Sequence, residues 1–206
     1  MPTDSTQTRS AILDAAEAQF AAKGFAAASM SEIAAKSKVS KSLLHHHFGS
    51  KEGLWSAVKE RRFGEFWSQQ AGLVESLPTG PEMLDLSVKT YFQFLSANPD
   101  FVRLLMWHFL EQEALEGKVA PTGAAEVAAT VKKLRQAQQA GHVREDIDPR
   151  NLMIMFFSLV VHWHEAKSLY LSWVGQPANQ TAAAADKAYL KDMLKVFLRG
   201  VSPSGG

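Results

Sequence analysis

The stretch from Gly24 to Lys51 constrains the fold most, because it must start and stop two helices in quick succession. An amphipathic helix of about Thr8 to Lys23, with Ile12, Ala16 and Phe20 on one face, ends at Gly24 as at a C-terminal cap. Ser29-Met30-Ser31-Glu32 reads as a capping box, a serine hydroxyl on the third amide and the glutamate reaching back. The helix it opens is short, Met30 to about Ser37. Lys38-Val39 makes a tight turn, and Ser40 caps a second short helix, Lys41 to about His47. Gly49-Ser50 breaks that helix and opens a long one, Lys51 to about Leu73.

The rest of the chain carries the same punctuation. Pro81 takes the first position of a helix reaching Ala97, where its missing N–H costs nothing. Helices follow at about Phe101 to Glu116, Ala124 to Ala140, Pro149 to Trp173 and Ala182 to Gly200. Period-3.6 patterns recur and strand signals are nearly absent, so the chain is expected to be all-α with about nine helices. There is no cysteine, which excludes disulfides, thiolate metal sites and a cysteine nucleophile. The N-terminus is polar, and the longest apolar run, Leu152 to Val161, is about half of the ~20 residues a spanning helix needs. The expectation is a soluble, cytoplasmic protein with no membrane partner.

Two short helices joined by a tight turn describe a helix-turn-helix, whose second helix enters a DNA major groove. Charge agrees. Residues 1–62 hold nine Lys/Arg and six Asp/Glu, net +3, and residues 63–206 hold thirteen and fifteen, net −2. From Ile33 to Lys51 there are four lysines and no acid. That field suits phosphate, although four lysines alone would equally make a solvated basic face.

The segment from Arg9 to Leu54 resembles the DNA-binding domain of the TetR family of transcriptional regulators. The resemblance rests on Arg9, Ile12-Leu13, Ala15-Ala16, Phe20 and Gly24-Phe25, then Ser29-Met30-Ser31-Glu32-Ile33-Ala34. Val39-Ser40-Lys41, Leu44, His47-Phe48 and Ser50-Lys51-Glu52-Gly53-Leu54 follow in the family's spacing. It implies a helix-turn-helix domain over 1–50 and a helical ligand-binding and dimerisation domain over 51–201. Within the latter, 51–73 would be a connecting helix, and a flexible tail would follow at 202–206. Ile12, Phe20, Ile33, Val39, Leu44 and Phe48 are expected in the core. The implied DNA-contacting residues are Arg9, Ser29, Ser31, Lys41, Ser42, Leu43, His45, His46 and Lys51. Lys41 and Ser42 would approach base edges, His45 and His46 the backbone, and Lys51 a phosphate.

Three positions depart from the family pattern. Ser42 replaces a common Gly, Leu43 a small polar residue, and His45 the usual Tyr. Leu43 would meet a thymine methyl. His45 would donate to phosphate, better when protonated, so binding should tighten with acidification. Consecutive helical residues point about 100° apart, so His45, His46 and His47 do not converge on one ion, and no metal or cofactor is expected.

Such a unit reads two half-sites as a symmetric dimer. The helix from Pro149 is apolar on two sides and the last helix carries a further stripe. The resemblance implies a four-helix dimer interface, with Phe156, Leu159, Trp163, Tyr170, Leu190, Met193, Leu194 and Phe197 as candidates. The alternative is that these stripes fill one subunit's core. A small apolar or aromatic effector is implied too, with Phe101, Leu105, Trp107, His108, Glu111, Phe157 and His162 as candidate contacts. The same aromatic walls also describe an ordinary core. No enzyme motif is present: no Gly-rich phosphate loop, no Gly-x-Ser-x-Gly elbow and no Glu-x-x-His.

The expected function is sequence-specific DNA-binding transcriptional regulation by a dimeric repressor, released from a palindromic operator by a small molecule. Two alternatives stand beside it. One is an effector-independent DNA-binding regulator, the other a helical interaction protein with no DNA role.

Overall fold

A computed structural model describes residues 3–115, 123–175 and 180–203. Every regular element among them is a helix: α1 Thr3–Ala27, α2 Met30–Lys36, α3 Lys41–Phe48, α4 Lys51–Ser76, α5 Pro81–Ala97, α6 Pro99–Leu115, α7 Ala124–Gln139, α8 Pro149–Val174 and α9 Ala182–Val201. The all-α expectation holds. α1 starts five residues earlier than its apolar pattern, because nothing in its polar first turn opposes helix. Glu116, the expected end of the sixth helix, lies outside the described residues. No described helix is long and apolar enough to cross a membrane.

The chain forms two compact units. The first holds residues 1–66 and 100–122, and the second 67–99 and 123–206. In the first, Ile12, Phe20, Ile33, Leu44, Leu54 and Val58 are fully buried. Phe20 meets Trp55 at 4.8 Å between ring centroids, and Phe63 meets Phe101 edge-on at 5.4 Å. Val39 and Phe48, expected in the core, are only half-buried. Arg61 ties α4 to α1 through Asp14 and Glu17, at 2.7 Å each.

In the second unit, α5 turns Leu84, Val88, Tyr91 and Leu95 inward at helical spacing. They share the unit's interior with Val131 and Leu134 of α7, Leu152, Val160 and Trp163 of α8, and Met193 and Leu194 of α9. The α7–α8 connection is held by the buried Gln138, whose Nε2 donates to the carbonyls of Arg144 (2.9 Å) and Ile147 (2.7 Å). α8 then opens on Asp148, which accepts the Arg150 amide at 2.8 Å, with Pro149 in the first turn.

Candidate nucleic-acid interface

α2 and α3 are built by local hydrogen bonds that the sequence dictates. Ser29 caps α2, its hydroxyl accepting the Glu32 amide at 3.4 Å. Only half of the expected capping box forms. The Glu32 carboxylate turns instead to Lys23 Nζ at 2.6 Å, and that ammonium holds it below the usual carboxylate pKa. A salt partner across the α1–α2 junction wins over the helix's own first amide.

The turn is a Schellman motif. Val39 N–H donates to Ala34 O (3.0 Å) and Lys38 N–H to Ala35 O (3.2 Å). Lys38 therefore sits at φ 58, a left-handed conformation that costs an L residue roughly 1–2 kcal/mol. Ser40 caps α3 by accepting the Leu43 amide at 3.1 Å. Leu44 is the fully buried residue of α3, and Lys41, Ser42, Leu43, His45 and His46 are all exposed. Lys36, Lys38 and Lys41 are exposed around the turn and the start of α3, and none of them makes an ion pair among the described residues. The exposed face is thus positive and offers donors, which suits an anionic polymer.

α3 ends at Gly49, whose φ 71 and ψ −65 make a γ-turn closed by Ser50 N–H on Phe48 O at 2.8 Å. His45 Nδ1 donates to the Gly49 carbonyl at 2.8 Å. A carbonyl only accepts, so the proton is on Nδ1, and in the neutral ring Nε2 is an acceptor. In that neutral tautomer Nε2 has no proton to offer a phosphate, and protonation of the ring supplies one.

Three other expected contacts are placed as follows. Ser31 is exposed on α2. The Arg9 guanidinium lies over the Phe48 ring at 5.3 Å. Lys51 Nζ donates to Ala26 O at 2.9 Å and lies 4.8 Å from the Phe25 ring, so it fastens the start of α4 to the end of α1.

The residues expected around a ligand are divided between the two units. Phe101, Leu105, Trp107 and His108 belong to the first unit with the helix-turn-helix. Phe101 is buried against Phe63 and Phe66, and Trp107 packs on Gly24. His108 is half-buried, and burial together with the nearby Lys59 charge lowers its pKa. The Glu111 side chain lies outside those described. His162 is exposed and pairs with Glu165 at 2.8 Å, while His164 turns inward between Ser96 Oγ (2.9 Å) and Val160 O (2.8 Å). Of the expected residues whose side chains are described, Phe157 lines a cavity of the second unit, together with Trp67, Tyr91, Phe156 and Phe197. Along α6, Phe101 is buried, Trp107 and His108 are half-buried and Phe109 is exposed.

The expected dimer residues divide similarly. Trp163, Met193 and Leu194 are buried within the second unit, Trp163 stacked on Tyr189 at 4.0 Å and donating to Asp186 at 2.8 Å. Phe156 and Phe197 line the cavity. Tyr170 and Leu190 are half-buried, and Leu159 is exposed. The exposed apolar side chains of α8 are Ile154, Met155, Leu159, Leu169, Trp173 and Val174, with Val196 on α9. Alternation along an amphipathic helix shows that two faces are apolar but not which one turns inward.

An N-capped helix presented outward beyond a Schellman turn, on a face whose lysines make no ion pair among the described residues, defines a helix-turn-helix DNA-binding protein. Residues 12–58 match the model of bacterial regulatory proteins of the tetR family, and residues 85–195 that of the tetracyclin repressor-like C-terminal domain. The chain belongs to the TetR family and is a DNA-binding transcriptional regulator. It is 26% identical over 156 residues to the HTH-type transcriptional repressor SCO4008 of Streptomyces coelicolor, covering 76% of this chain and 78% of that protein. It is also 26% identical over 198 residues to the HTH-type transcriptional repressor NicS of Pseudomonas putida, covering 95% and 92%. Among solved structures, the putative transcriptional regulator SCO4942 from Streptomyces coelicolor superposes with a TM-score of 0.74 at 26% identity, covering 92% of this chain and 97% of that one.

Proposed function

We propose that the protein is a homodimeric repressor that binds a palindromic operator through α3 and is released by a small apolar or aromatic effector. The observation that carries the DNA half is the outward face of α3 beside three exposed lysines that make no ion pair among the described residues. Lys41, Ser42 and Leu43 meet base edges. Ser29, Ser31, Arg9 and His46 lie toward the phosphate backbone. His45, with Nε2 as an acceptor, fits the amino group of adenine or cytosine better than it fits phosphate. Lys51 contributes positive charge while it holds α4 against α1. Repression is the activity named for SCO4008 and NicS.

The exposed apolar row on α8, with Val196 of α9, supports the dimer, since an uncovered row of this length is a liability in water. The cavity of the second unit supports the effector. α4 contributes Lys51 to the first unit and cavity residues Trp67, Gln70 and Val74 to the second, so one helix serves both functions. An effector acts only through a difference in affinity between DNA-competent and released states.

Fluorescence anisotropy with an operator duplex, combined with light scattering, tests this reading. Two subunits per inverted repeat, and release by a compound that binds the cavity, are the expected results. One subunit per duplex overturns the dimer. Persistent DNA binding by protein saturated with a cavity ligand overturns effector release.

A further inference from the structure

We infer that a groove between α4 and α7 binds a short aliphatic carboxylate, with its acid head on Lys132 and Lys133 and the end of its chain in the adjoining aromatic cavity. The inference rests on the proposed effector site and adds a charged end to its apolar ligand. The cavity alone is small. Its volume is about 60 Å³, room for about two groups of the ~30 Å³ that a water occupies. A methylene or methyl group is of similar size, so the cavity takes the tip of a chain and not a ring system. Beside it lies a groove of about 320 Å³, inside the ~300–1,000 Å³ range of small-molecule sites. Val74 of α4 and Thr130 of α7 line both spaces, and all of the lining belongs to the second unit.

The groove joins an apolar strip to two cations. Ala71, Val74 and Ala129 supply the strip, and Lys132, Lys133 and Glu75 the charge. Lys132 is exposed and Lys133 half-buried, and neither makes an ion pair among the described residues, with Glu75 or with any other acid. Lys133 Nζ donates instead to the backbone carbonyl of Glu75 at 3.4 Å, a long bond that leaves its charge without a counterion. The lining therefore carries two positive charges against one negative. A carboxylate at the lysine end accepts charge-assisted hydrogen bonds there. Lys133 follows Thr130 by three residues, about 4.5 Å along the axis of α7. A chain of a few carbons thus joins an acid head at the lysines to the wall that groove and cavity share. The apolar strip covers the middle of that chain, and the aromatic walls of Tyr91, Phe156 and Phe157 receive its end.

The experiment is calorimetric titration of the full chain at neutral pH and low ionic strength with three probes. Hexanoate has chain and charge, hexanamide the chain without the charge, and acetate the charge with almost no chain. Hexanoate is expected to bind, hexanamide about tenfold more weakly, the loss of a charge-assisted contact, and acetate not measurably. Lys132→Met and Lys133→Met keep the aliphatic stems and remove the charges. Together they should bring hexanoate down to the affinity of hexanamide and leave hexanamide unchanged, which a loss of fold would not do. Absence of hexanoate binding overturns the inference, and so does equal binding of hexanamide. Acetate binding as tight as that of hexanoate overturns the role of the cavity, and unchanged hexanoate affinity in the double variant overturns the role of the lysines. If hexanoate binds as expected but leaves operator affinity unchanged, the ligand class stands and the effector reading fails. If hexanoate does not bind while another cavity ligand releases the operator, the inference fails and the effector reading stands.

Discussion

The indole of Trp107 lies against the bare backbone of Gly24, where a β-carbon would stand 2.8 Å from ring atoms Cδ2 and Cε3. Gly24 has φ +73 and marks the break in α1 just before Ser29 caps α2. Gly24→Ala therefore meets both a left-handed backbone and a ring. It should lower stability by about 1–3 kcal/mol in chemical denaturation. In a Trp107→Ala background only the backbone part of that cost remains, so the penalty should shrink. An equal penalty in both backgrounds would remove Trp107 as the cause.

Lys41 and Lys51 should behave differently as alanine variants. Lys41 is exposed and makes no ion pair among the described residues, so Lys41→Ala should leave the melting temperature unchanged. It should also lower the slope of log affinity against log salt by about 0.9 if it meets a phosphate, or relax sequence preference if it meets a base. Lys51 fastens α4 to Ala26 O and Phe25, so Lys51→Ala should also lower the melting temperature. Identical thermal behaviour of the two variants would contradict this division.

The dimer is tested on the exposed row rather than on the buried stripe. Leu159→Glu, or Val196→Glu on α9, places a charge on side chains that are 41% and 75% exposed in one subunit. Either should yield folded monomers in light scattering and weaken operator binding at low protein concentration. Dimers of unchanged stability would move the interface elsewhere.

Asp148 sets an acid limit on α8. Its hydrogen bonds to Arg150 bring its pKa down to about 2 from an ordinary value of 3.8. A carboxylate with a depressed folded pKa adds stability in full above its unfolded value, and loses it as pH falls toward the folded value. The contribution should therefore fade between about pH 4 and pH 2. Asp148→Asn keeps an acceptor for the cap and should flatten the melting-temperature profile in that window. A variant profile parallel to the parent's would rule this out.

Much of the fold was legible because caps are local. Ser29 and Ser40 each accept an amide three residues on, as their sequence positions imply. Lys38 was not legible as a left-handed residue, since glycine usually marks that place and the Schellman bonds are seen only in three dimensions. Glu32 leaving its box for Lys23 is likewise a contact between residues distant in sequence. The outward face of α3 could be read from Leu44 alone. The cavity could not, because Gln70, Ser87 and Tyr91 lie on helices whose pattern shows burial but not vacant space.

The central claim is that α3 reads base edges, twice, in a symmetric pair. Selection of duplexes from a random pool by the full chain at low ionic strength tests it most directly. The account predicts an enriched inverted repeat with half-sites one helical turn or a multiple apart, and altered preference when Ser42 or Leu43 becomes alanine. A pool with no enrichment, or the same enriched sequence from the parent and from those variants, would contradict it.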